Sequence, residues 1–125
     1  MSGNKTPEEV LSSITEGINA VDLESLMSLY EPKACFATEP GKLATSPDHI
    51  RNSLRKFIDM DGKLALKVKR VLRASDLALV TSEWTCSGTG PDGKPVNIAA
   101  SSADVLRQQP DGTWLLVIDN PWGTD

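Results

Sequence analysis

With 125 residues, 39% of them hydrophobic and 24% charged, the chain has the size and composition of one ordinary folded domain, which excludes a disordered polypeptide. A net charge of −4, with no Lys/Arg run beyond two residues, argues against a nucleic-acid partner. The opening "MSGNKTPEEV" lacks the apolar segment of a secretory signal, and no apolar stretch approaches the ~20 residues of a membrane span, so a cytoplasmic protein without a membrane partner is expected.

One domain over residues 1–125 is expected, with residues 1–6 flexible. Thr6-Pro7-Glu8-Glu9 starts a helix: Thr as N-cap, Pro at the first helical position, Glu three residues after the cap. Val10, Leu11, Ile14, Ile18 and Val21 then recur at helical spacing. Asp22 can cap a second, short helix carrying Leu23, Leu26, Met27, Leu29 and Tyr30, which Pro32 ends. Residues 33–38 read as a strand and Glu39-Pro40-Gly41-Lys42 as a turn. Ser46-Pro47-Asp48 opens a third helix with Ile50, Leu54, Phe57 and Ile58 on one face.

From Leu64 the period changes to two: Leu64, Leu66, Val68 and Leu72 alternate with Lys67, Lys69 and Arg73. Turns at Ser75-Asp76, "GPDGKP" and "QPDGTW" then separate long strands over 77–88, 96–108 and 114–120. Helices first and an antiparallel meander after them make an α+β fold. Long antiparallel strands curl. A curled sheet wrapped on the N-terminal helices encloses a cavity of the kind that binds small molecules.

Few residues offer chemistry. Cys35 and Cys86 lie in apolar strand-like stretches and read as reduced, buried thiols. With no CxxC and one histidine, no metal site is expected, and no glycine-rich phosphate loop suggests a cofactor. His49 in the third helix reads as solvated. Trp84 and Trp114 read as core or subunit-interface residues rather than ligand platforms. Asp119 and Asn120 either line a cavity rim or simply end the last strand.

Asp104 shares its strand face with Val96, Ile98, Ala100, Ser102 and Leu106. A lone ionised carboxylate there is costly, so it must be neutral in a pocket, paired with an arginine such as Arg70, or hydrated. Glu39 is either a turn residue or a carboxylate at the mouth of an apolar pocket. Residues 34–37 are apolar throughout, so alternation does not say which way it points.

The element order, with "INAVDLESLMSLYEPKACF" and "DVLRQQPDGTWLLVIDNPWG", resembles the NTF2-like superfamily, in its SnoaL-like and ketosteroid isomerase-like branch. The likeness covers roughly residues 7–123. It implies a cone-shaped domain with an apolar pocket, a small hydrophobic or aromatic ligand, no cofactor and a homodimer formed through the sheet. It also implies candidate catalytic residues. Glu39 before Pro40 matches the isomerase base, and Asp104 in Asp104-Val105-Leu106-Arg107 matches the protonated oxyanion donor. The helix-1 tyrosine position is Ile14, which has no donor. Ile14, Tyr30, Ile98, Ser102, Asn120 and Trp122 are the expected pocket residues. Two functions stand open: a small-molecule-binding protein with cofactor-independent proton transfer, or a non-catalytic dimeric binding and association domain.

Overall fold

The computed structural model describes residues 3–124. Helix α1 (Pro7–Asn19) starts where Thr6 accepts the Glu9 backbone N–H at 3.2 Å. It buries Val10, Leu11, Ile14 and Ile18 on one face, each worth about 1.5–3 kcal/mol of transfer free energy. Asn19 fixes the far end of α1 to the sheet. Its amide donates to the Leu64 carbonyl at 3.0 Å and accepts the Leu64 N–H at 2.8 Å. Asp22 caps α2 (Leu23–Met27), and Ser46 caps α3 (Pro47–Asp59).

Helix α2 is shorter than its apolar pattern suggests. Tyr30 does not close it but opens β1 (Tyr30–Glu39), where it pairs with Leu116. The Leu116 N–H donates to the Leu29 carbonyl at 2.8 Å, so the backbone at this point is claimed by a strand. A short strand β2 (Lys42–Ala44), not expected from the sequence, folds back on β1. Strands β3 (Lys63–Ala74), β4 (Leu77–Thr89), β5 (Pro95–Gln108) and β6 (Trp114–Asp119) form the antiparallel meander. Strand β1 joins the far side of β6 in parallel, giving one six-stranded sheet in the order β2-β1-β6-β5-β4-β3. Helix α1 packs across β3 and β6, and α3 packs on β1. The core lies between them.

Two irregularities set which side chains face inward. On β3, Val68 opposes Ser82 and Arg70 opposes Thr81, so Lys69 is a one-residue bulge. A bulge reverses the alternation. Val71 therefore turns toward the core, while Arg70 and Leu72 point outward, Leu72 being 53% exposed. The expected inward set of Leu64, Leu66, Val68 and Leu72 thus ends at Val68. The Asp104–Arg70 pair is overturned for the same reason. On β6, Val105 opposes Ile118 and Leu106 opposes Leu116, leaving Val117 as the extra residue. Trp114, Leu116 and Asp119 face inward, and Ile118 is exposed.

Asn4, in the stretch expected to be flexible, is tied in place. Its carbonyl accepts the Trp114 N–H at 2.9 Å and its side chain accepts the Ser13 hydroxyl at 3.1 Å. Residues 1 and 2 of that stretch lie outside the described residues. No helix among the described residues is long and apolar enough to cross a membrane.

Candidate active site

A cavity of about 60 Å³ lies between α1, α3 and the inner face of the sheet. Leu11, Ile14 and Ile18 of α1, Leu54 and Phe57 of α3 and Phe36 of β1 wall it with apolar surface. Strand β5 brings Ser102 and Asp104 to its lining, and β6 brings Asp119.

Asp104 and Asp119 are buried and hydrogen-bonded to each other. Two carboxylates in contact cannot both ionise in an apolar site, so the pair shares a proton. Burial pushes Asp104 well above the usual carboxylate range, and the neighbouring Asp119 charge adds to this. The Asn120 backbone N–H, donating to Asp104 Oδ1 at 2.8 Å, pulls the other way. Burial also raises Asp119, but hydrogen bonds from Tyr30 and Asp104 oppose it. The Tyr30 hydroxyl donates to Asp119 Oδ2 at 2.5 Å, and burial beside that carboxylate holds the phenol well above its ordinary value. Burial raises both carboxyls, so the pair titrates as a unit with one proton held between them. Neither carboxyl forms an ion pair among the described residues.

The mouth is aromatic. Phe57 meets Trp84 edge-on at 6.1 Å, and Trp84 meets Trp122 at 5.6 Å. Indole donors pin the two tryptophans, Trp84 to the Pro121 carbonyl at 2.7 Å and Trp122 to the Ala37 carbonyl at 3.1 Å. Beyond the mouth, a groove of about 450 Å³ shares Phe36 and Phe57 with the cavity. Glu39 stands on this groove with Lys42, His49 and Lys56.

The structure therefore separates the two expected catalytic carboxylates. Glu39 is 54% exposed on the β1–β2 turn and bonded to Lys42 Nζ at 2.8 Å, and that bond lowers its pKa. A base held by a lysine in solvent does not face the cavity that holds Asp104. Ile14 and Ser102 line the cavity. Tyr30 sits behind Asp119 rather than in the lining, and Asn120 acts through its backbone N–H. Ile98 and Trp122 line the outer groove. Trp84, expected only in the core or an interface, lines the cavity, whereas Trp114 is core. Asp119 is the partner that period-two reading passes over. Trp114, Leu116 and Ile118 suggest an inward set that leaves Asp119 outside, until the Val117 bulge turns it in.

The SnoaL-like domain family model matches residues 12–117. A ketosteroid isomerase-like protein from Erwinia carotovora atroseptica superimposes with a TM-score of 0.77 at 19% identity, over 90% of this chain and 88% of that one. A candidate dehydratase of the NTF2-like family from Streptomyces avermitilis gives 0.76 at 19% identity, over 90% of each chain. A candidate calcium/calmodulin-dependent protein kinase II association domain from Xanthomonas campestris gives 0.73 at 19% identity, over 91% and 82%. At such identities these structures share the fold. No curated protein sequence matches the chain.

Proposed function

Because this chain belongs to the SnoaL-like domain family, within the NTF2-like superfamily, we propose that it binds a small, mostly apolar molecule in its cone and moves a proton on it without a cofactor. The observation that carries this reading is the Asp104–Asp119 pair: two buried carboxyls lining an apolar cavity, with no ion-pair partner among the described residues. In this reading Asp119, which accepts the Tyr30 hydroxyl, carries the charge of the pair and is the base, and Asp104 and Tyr30 hold that charge in place. Pairs of acids whose surroundings push their proton affinities apart are suited to acid–base work.

The test is turnover of β,γ-unsaturated ketones, followed by the ultraviolet absorption of the conjugated product. Asp119→Asn should lower the rate by ~10²–10⁴-fold with the fold intact by circular dichroism. Equal rates in parent and variant would remove the pair from the mechanism.

One further observation favours the second reading, a dimeric binding domain. On the outer face of the sheet, Leu72, Leu79, Val105, Ile118 and Cys35 form a continuous cross-strand row. Leu72, Leu79 and Ile118 are 53%, 38% and 39% exposed. A second copy of the chain, presenting the same row, is the partner that covers it, since an isologous dimer needs one self-complementary patch. Ligand binding without turnover of any ketone would favour this reading alone.

A further inference from the structure

The outer groove, at about 450 Å³, has the size of a small-molecule site in its own right. One wall is a stripe of α3 that changes character along the helix. His49, Asn52 and Lys56, three and four residues apart, make its polar part, and Phe57 and Met60 continue it as apolar surface. From Asn52 to Met60 the stripe runs roughly 12 Å. Ile98 and Trp122 add apolar surface to the same groove. The charges there do not cancel. Glu39 is the one acid among its described lining residues, and Lys42 already holds it at 2.8 Å. Lys56 lies close enough to Glu39 to help lower its pKa, yet forms no ion pair among the described residues. The groove therefore carries one uncompensated positive charge on a chain whose net charge is −4.

We propose that this groove binds an apolar carboxylate, with its flat hydrocarbon body on Phe57 and Met60 and its carboxylate beside Lys56. Asn52, one turn before Lys56, offers an amide N–H to the same oxygens. One free cation matches a monoanion. A phosphate monoester, with nearly two charges, would bring an unmatched one close to Glu39. An ammonium would be repelled by Lys56, and a neutral head group would gain nothing from it. The inner cavity cannot take the carboxylate, because Asp104 and Asp119 there make a dry site already short of protons. The head group therefore stays in the groove, where water still reaches Lys56. This goes beyond the acid–base reading, since the groove can bind its ligand whether or not the carboxyl pair moves a proton.

The experiment titrates the full chain at neutral pH and low salt with naphthoate, naphthamide and naphthylmethylamine, reading the Trp122 indole N–H and the α3 amides by NMR. Naphthoate should bind at least ~3-fold more tightly than naphthamide and ~5-fold more tightly than the amine, the scale of one exposed ion pair. Its advantage over the amide should fall below ~1.5-fold in about 0.5 M salt, where such a pair is screened. Lys56→Glu removes one attraction and adds one repulsion, so it should weaken naphthoate by ~5–20-fold and leave naphthamide within ~2-fold. Lys56 is exposed, and circular dichroism checks that the variant keeps its fold. Naphthamide or the amine binding as tightly as naphthoate would overturn the proposal, as would an equal loss for naphthoate and naphthamide in the variant. Failure of naphthoate to bind would overturn it too. Shifts confined to the Trp84 indole, with Trp122 and α3 silent, would put the acid in the inner cavity and reject the groove. None of these results touches the acid–base reading, which falls only if Asp119→Asn turns over ketones as the parent does.

Discussion

Replacing Asp104 by Asn tests the shared proton directly. The amide oxygen can still accept the Asn120 N–H, and the amide nitrogen can donate to Asp119 where the acid proton did. Shape and bonding are kept, and the ionisation is lost. In the unfolded chain an aspartate titrates near ~3.9, whereas burial beside Asp119 holds Asp104 well above that range in the folded protein. Between those two values the folded state binds one more proton than the unfolded state. The stability that Asp104 contributes is therefore full below the unfolded pKa and is lost as pH rises through the folded one. The slope is ~1.4 kcal/mol per pH unit for one proton, so as pH rises from the unfolded value toward the folded one the parent should lose stability that the variant keeps. Urea melts of both proteins across this range provide the measurement. Carboxylates away from the pair are common to both and cancel in the difference. The variant should gain steadily on the parent as pH rises. A variant less stable by ~3–5 kcal/mol at neutral pH, with the deficit shrinking in acid, would mean a buried ion pair at Asp104 and would refute the reasoning.

Tyr30→Phe removes a hydrogen bond to a charged, buried carboxylate and should cost ~1.5–3 kcal/mol in urea melts at neutral pH. A neutral effect would mean that Asp119 does not carry the charge. Glu39→Gln, on an exposed lysine-bonded turn, should leave any ketone turnover within ~2-fold of the parent. A loss above ~10-fold in turnover would return Glu39 to the mechanism. Leu79→Glu should convert a dimer to a monomer by light scattering at ~50 μM with an unchanged circular dichroism spectrum. A parent that is itself monomeric at that concentration would sink the sheet interface. Gly17→Ala would place a Cβ 2.7 Å from Leu26 Cδ2 where α1 crosses α2. It should destabilise by ~1–3 kcal/mol in urea melts, and a gain in stability would mean that Leu26 swings aside freely.

Much of this was legible in the sequence where the signal is local. Thr6, Asp22 and Ser46 cap the helices they appear to cap, because an N-cap needs only its own side chain and the next turn's N–H groups. Asp104 could be placed by counting in twos, since Ile98 to Leu106 runs without a bulge against β4. Its raised pKa follows from the apolar company it keeps. What was hidden depends on partners distant in the chain. The parallel pairing of β1 with β6 joins the two ends of the domain, and nothing in residues 30–39 announces it. Tyr30 looked helical from its neighbours and became a strand residue through Leu116. Arg70 was assigned the wrong face and Asp119 was left between two roles for one reason, an extra residue in a strand that reads as regular.

The bulge at Val117 also bears on how this strand can change over generations. A point mutation there changes a side chain and leaves the facing of its neighbours alone. A one-codon deletion of Val117 would give a regular strand in which Leu116 still points in, Ile118 still points out and Asp119 still reaches Asp104. Deleting Asn120 instead would remove the N–H that now donates to Asp104. Strand β6 thus has one place where length is free beside another where it is fixed. Relatives carrying the same acid pair can hold the second acid either two or three residues after the inward leucine. An alignment that compares them column by column would set Asp119 against a residue of the opposite face, and the pair would look absent from chains that have it.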